Sequence, residues 1–128
     1  MIKNKKLCLI DSQDAVFGNI AYDLASLIDD VRLKTSKRFK QDIFEEYIKT
    51  NKKMNIENFK NDFEILSVLR NLKIIGIFTR LAFRDNKKNY LNLIPYTWTL
   101  INRRINKNKI FDELKFLLNE YFKKKYEN

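Results

Sequence analysis

From Ile56 to Ala82 the chain returns an apolar residue every three or four positions: Ile56, Phe59, Phe63, Leu66, Leu69, Leu72, Ile75 and Phe78, closing on Leu81 and Ala82. That period belongs to an α-helix; the apolar residues of a half-buried strand alternate instead. Asn55 stands where a capping side chain is wanted, and the polar run DNKKN at 85–89 ends the pattern. The segment predicts one helix of roughly 27 residues, about 40 Å long. In a chain of 128 residues such a rod sets the axis on which everything else must pack. Gly76 within it predicts a close approach of another element or a bend.

The flanking segments read as shorter elements. LCLI at 7–10 is a short apolar run that predicts a β-strand, with no evident partner elsewhere in the chain. A solitary strand has two unpaired edges, so it implies that something is missing. Asn19 is placed to cap a helix in YDLASLIDDV, where Leu24, Leu27, Ile28 and Val31 recur at helical spacing and Asp23 meets the positive end of the helix dipole. A second helix begins at Thr35 or Ser36 and carries Phe39, Ile43, Phe44, Tyr47 and Ile48. Beyond the long helix, Pro95 opens or kinks a helix anchored by Trp98. A last one covers 110–121, with Asp112 and Glu113 in its first turn and lysines after its end. The expected fold class is mainly α: one short N-terminal strand followed by about five helices. Two glycines and one proline are too few for a turn-rich all-β chain.

Composition removes several chemistries. There is no histidine, which excludes imidazole acid–base catalysis, Ser-His triads and His-ligated metals. Cys8 is the one cysteine, so no internal disulfide forms; it sits in an apolar run as a small hydrophobe, in keeping with a reducing, cytoplasmic setting. No apolar stretch has the roughly 18 residues of a membrane span, and the N-terminal apolar run is short for a secretory signal. The net charge is +10, with cations scattered along the chain. That distribution reads as a lysine-rich solvated surface, with attraction for phosphate as a secondary effect.

Asp11 and Asp14 follow the strand directly. A carboxylate at a strand's carboxyl end is well placed to hold a cation against a phosphate, and magnesium needs only one or two such ligands. On spacing alone the plainer alternative, two turn-forming aspartates, has the better claim.

Two blocks carry a resemblance that changes this weighing. LIDSQDAVFGNIAYDLASLIDDVR (9–32) resembles the IDFQDA…G…AYDLVSLLxD segment of the aminoglycoside phosphotransferase and choline kinase superfamily. LRNLKIIGIFTRLAFRDNKKNYLNLIPYTW (69–98) is similar to the RNLRILGIFxRLxxRDGKxxYLxLLPRVW stretch of its cell-wall amino-sugar kinases, which phosphorylate N-acetylmuramate and N-acetylglucosamine at the anomeric position. The resemblance implies a protein-kinase-like bilobal fold, of which residues 1–128 would form part of the helical C-terminal lobe, a single partial domain. It implies ATP and magnesium as cofactors of the complete enzyme and a small sugar as acceptor. Asp11 matches the metal-holding acid. Asp23 matches the acid that braces the catalytic loop. Ser12 stands where the relatives carry Phe, which removes an apolar group beside Asp11. Gln13 and Asp14 match the Q-D pair near the cleft. Arg70, Asn71 and Arg80, with Arg84 and Asp85, match positions some of which would face the sugar, although each also reads as a solvent-facing helix charge.

The rest of the resemblance lies in what the chain lacks. There is no Gly-rich phosphate loop, and no H-x-D…N catalytic loop precedes Asp11, so no catalytic base is present. The chain is expected to be inactive alone: a truncation, a remnant, or a half that pairs with a separately encoded N-terminal half. The competing reading is a free-standing basic helical binding module for nucleic acid or another polyanion, without a recognised nucleic-acid-binding motif to support it.

Overall fold

A computed structural model describes residues 17–122, together with the backbone of 2–3 and 6–7. Its five helices are α1 (Ala21–Ile28), α2 (Lys37–Thr50), α3 (Ile56–Phe83), α4 (Ile94–Ile105) and α5 (Asp112–Phe122). Two short 3-10 turns, Lys88–Leu93 and Lys109–Phe111, lead into α4 and α5. The mainly α expectation holds. Strands β1 (Ile2–Lys3) and β2 (Lys6–Leu7) pair antiparallel, with Ile2 opposite Leu7. The strand expected over 7–10 therefore meets the described backbone only at Leu7, and 8–10 lie outside the described residues.

Local chemistry sets the helix starts. The Ser36 hydroxyl accepts from the Phe39 N–H at 3.1 Å, and the Asn55 side chain accepts from the Asn58 N–H at 3.0 Å. Asn19 accepts from the Ala21 N–H at 2.9 Å, satisfying one of the first-turn donors that a helix leaves unpaired. Pro95 sits in the first turn of α4, where its missing N–H costs nothing.

Helix α3, 28 residues long, is the spine, with α1 packed along one part and α4 along another. Its apolar residues face several neighbours rather than one. Phe59 and Phe63 join Ala21, Leu24, Ala25 and Ile28 of α1, with Phe44 and Tyr47 of α2 against them. The rings of Phe44 and Phe63 stand 4.7 Å apart and those of Tyr47 and Phe59 5.4 Å. Further along, Val68 meets Ile101, Ile105, Phe111 and Leu118, and Phe78 meets Val31, Ile94 and Leu100. Trp98 is half-buried between these last two groups, its ring 5.5 Å from that of Phe122. No helix of the described residues is long and apolar enough to cross a membrane.

Several expected core positions are exposed. Leu27 is 67% exposed, because Ala21 and Ala25 let α1 approach α3 on the adjacent face. Phe39, Ile56 and Leu69 are also exposed, since packing against discrete partners buries part of a helical stripe and not the whole of it. The close approach expected at Gly76 is a further correction: the residue is exposed, and a Cβ built there would meet no atom of the described residues within 4 Å. Close packing does not explain it. Gly76→Ala is therefore expected to stabilise the chain by about 0.5–1 kcal/mol, the helix-propensity difference at an exposed interior position. Urea unfolding monitored by circular dichroism checks this; a destabilised variant would mean that Gly76 faces something in solution.

Candidate functional site

The chain leaves α1 at Asp29, whose side chain is 1% exposed. A buried carboxylate is costly unless its charge is matched and its oxygens are hydrogen-bonded. Here three helices supply the match. Arg104 of α4 donates to Asp29 Oδ2 from Nη2 at 2.7 Å and from Nε at 3.1 Å. The Ser67 hydroxyl of α3 donates to the same oxygen at 2.5 Å. Lys40 of α2 reaches Oδ1 at 3.4 Å and also donates to the Ile28 carbonyl, filling an acceptor that the end of α1 leaves open. Arg70 of α3 donates to the Asp29 carbonyl at 3.3 Å. The Arg104 guanidinium also lies over the Phe63 ring, 4.5 Å from its centre, so the charged cluster is continuous with the aromatic core. Burial pushes the Asp29 carboxyl up, but Arg104, Ser67 and Lys40 outweigh it and hold the group below the ordinary aspartate value.

Beside this clamp opens a cavity of about 430 Å³. Ile28, Phe44, Phe63 and Leu100 give it an apolar floor, and Asp29, Lys40 and Arg104 form one wall. Lys37, Lys60, Arg103 and Lys107 project at its rim, and none of these four side chains has an ion-pair or hydrogen-bond partner among the described residues.

No protein-family model matches the chain. Curated proteins do. An N-acetylmuramate/N-acetylglucosamine kinase of Neisseria meningitidis is 36% identical over 93 residues, covering 68% of this chain and 28% of that protein. The kinase of the same name from Caulobacter vibrioides is 31% identical over 94 residues, covering 73% of the chain and 26% of the relative. The one from Pseudomonas putida is 30% identical over 118 residues, covering 88% and 35%. The chain is related in sequence to amino-sugar kinases. It spans about a quarter to a third of the length of the curated relatives it matches.

The residues singled out by the kinase resemblance are spread over the molecule. Asp11, Ser12, Gln13 and Asp14 lie outside the described residues, as does Cys8. Asp23 is exposed in the first turn of α1, with no hydrogen-bond partner among the described residues. Leu27, one turn on, shares that face of the helix and its exposure. On α3, Arg70 is half-buried against Asp29, whereas Asn71 is wholly buried, and neither of its amide atoms has a hydrogen-bond partner among the described residues. Arg80 is exposed, ten residues beyond Arg70 and so about 15 Å along the helix. Arg84 and Asp85 pair with each other at 2.6 Å in the open. The described residues contain no group of three acids or cysteines able to cage a metal.

What joins the first resembling block to the helices after it is Asp29, bonded through Ser67 and Arg70 to the long helix and through Arg104 to the next. Sequence reasoning passed over this residue. The signals were present: a doubled acid ending a helix, a lysine on the apolar side of α2, and a serine inside the apolar run ILSVL. Asp29→Asn keeps the shape, removes the charge and leaves two buried cations uncompensated, so a loss of about 3 kcal/mol at pH 7 is expected. The pH dependence follows from the lowered carboxyl. Its stabilisation is present above the unfolded-state value and is lost as pH falls through the lower folded-state value, from about pH 5 downward. Denaturant unfolding at stepped pH should show that acid limb in the wild type and a flatter one in the Asn variant.

Proposed function

We propose that this chain is the helical, acceptor-side part of an ATP-dependent phosphotransferase acting on an amino sugar such as N-acetylglucosamine or N-acetylmuramate. The observation that carries the reading is the 30–36% identity to kinases of that name, reaching 88% of the chain in one of them. The face of α1 bearing Asp23 and Leu27 adds support: an unpaired carboxylate next to exposed apolar side chains suits a surface that receives a further element. In this reading Asp23 accepts backbone N–H groups of a catalytic loop supplied by another polypeptide segment, and so holds that loop in place.

Phosphoryl transfer asks mainly for positioning and for compensation of phosphate charge. Magnesium, when bound, supplies that compensation, and Asp11 is its proposed ligand. Asp11 lies outside the described residues, among which no group of three acids or cysteines gathers. Ser12, Gln13, Asp14, Arg70 and Arg80 remain candidates for lining the acceptor side, whereas Asn71, wholly buried on α3, reaches no open surface. The clamp at Asp29 fixes the exit of α1 against α3, and with it the orientation of Asp23.

The test completes the chain with the nucleotide-binding portion and catalytic loop of a curated relative. ATP-dependent transfer of phosphate to N-acetylglucosamine or N-acetylmuramate is expected from the combination and not from either part alone. Asp11→Asn should then lower the rate on the order of a hundredfold or more, with the fold intact by circular dichroism. Undiminished transfer in that variant, or none from the combination when both parts are folded and associated, refutes the assignment.

A further inference from the structure

The cavity beside Asp29 has no part in the kinase reading, and it brings cations together. Six basic side chains line it, Lys37, Lys40, Lys60, Arg103, Arg104 and Lys107, against two carboxylates, Asp29 and Glu64. Asp29 is already saturated by Arg104, Lys40 and Ser67. Glu64 accepts from the Asn108 side chain at 2.8 Å. The four cations at the rim therefore face the same space with one carboxylate to balance them.

Cations on an open surface spread apart to lower their repulsion. These four do not have that freedom at their roots. Lys37 stands on the first turn of α2, Lys60 on α3, Arg103 on the last turn of α4 and Lys107 just beyond it. The Asp29 clamp ties α2, α3 and α4 to one point, so it also sets the spacing of these residues around the cavity. The capped N-terminus of the 14-residue helix α2 adds the positive end of its dipole on the same side. A volume of about 430 Å³ lies within the range of small-molecule pockets, about 300–1,000 Å³.

We propose that this cavity is a binding site for a small soluble phosphorylated compound, held at its phosphate by Lys37, Lys60, Arg103 and Lys107. Three lysines supply mobile point charges and Arg103 a planar fork that donates to two phosphate oxygens at once. A dianion relieves the mutual repulsion of the rim, which a singly charged carboxylate does less well. The apolar floor of Phe44, Phe63 and Leu100 leaves room for the carbon skeleton of such a compound. The site uses neither nucleotide nor Asp11, so it stands or falls independently of the kinase reading.

The experiment is titration calorimetry of the full chain with inorganic pyrophosphate at low ionic strength. Saturable binding with one site per chain is expected. The double variant Lys60→Ala/Lys107→Ala should weaken it about tenfold or more, since each lost contact is a charge-assisted hydrogen bond. Lys52→Ala/Lys53→Ala, an equal loss of charge on the exposed turn between α2 and α3 and outside the cavity, should leave it unchanged. Amide NMR shifts on the unmodified chain give a second reading that does not depend on any variant folding, and they should concentrate at Lys37 and Gln41. An equal loss in both double variants would overturn the site in favour of diffuse surface charge. Shifts scattered over the surface would do the same. Binding to single-stranded DNA or to phosphatidylglycerol vesicles without saturable pyrophosphate binding would assign the charge to a macromolecular polyanion or a membrane surface, and no saturable binding of any kind would remove the proposal.

Discussion

One carboxylate joins four helices. Asp29 ends α1 and is held by Lys40 from α2, by Ser67 and Arg70 from α3 and by Arg104 from α4. Each contact alone is of the kind that contributes little once desolvation is counted. Their convergence has another effect. Apolar packing fixes that the helices touch but tolerates small slides and rotations, because many apolar contacts are nearly interchangeable. A charge buried to 1% exposure tolerates none, since a shift of an ångström leaves it unmatched. The relative placement of α1, α2 and α4 on the spine is thus specified by geometry as well as by burial.

The spine explains why so much apolar surface remains outside. A helix that meets α1 on one part and α4 on another must be apolar in more than one direction. Its neighbours are short: α1 has 8 residues and α4 has 12, against 28 in α3. They cover α3 in patches, and Ile56, Leu69 and Phe83 stay exposed between them. On the other side of α1, Tyr22 and Leu27 are exposed beside Asp23. This face of α1 is the one on which the proposed function places a catalytic loop.

The sequence was most legible where the physics is local. Asn55 acts as the cap its position suggested, α2 starts directly after Ser36, and the periodic run from Ile56 closes within a residue or two of its expected end. Pairwise tertiary choices were not legible. Leu27 fits the helical stripe as well as Ala25 does, and only the close approach of α3, which an alanine permits and a leucine blocks, selects the smaller residue for the interface. Gly76 invites an explanation by packing and has none. Asp29 was hidden for a similar reason. Its partners lie 11, 38 and 75 residues away, and no short motif announces a contact across such separations.

The clamp also divides the charge of the chain into parts with different work. A net charge of +10 suggested a uniformly solvated basic surface. The structure separates it. Lys40 and Arg104 are half or wholly buried and neutralised by Asp29, while Arg32 and Arg84 pair with neighbouring acids in the open, where such pairs contribute about 0–1 kcal/mol. Lys37, Lys60, Arg103 and Lys107 fall in neither group, since they share one concavity and have no partner among the described residues. Removing the Asp29 charge would leave two more cations against that cavity and loosen the helices that space its rim. Stability and anion affinity are thereby coupled through one residue that would touch no ligand phosphate itself.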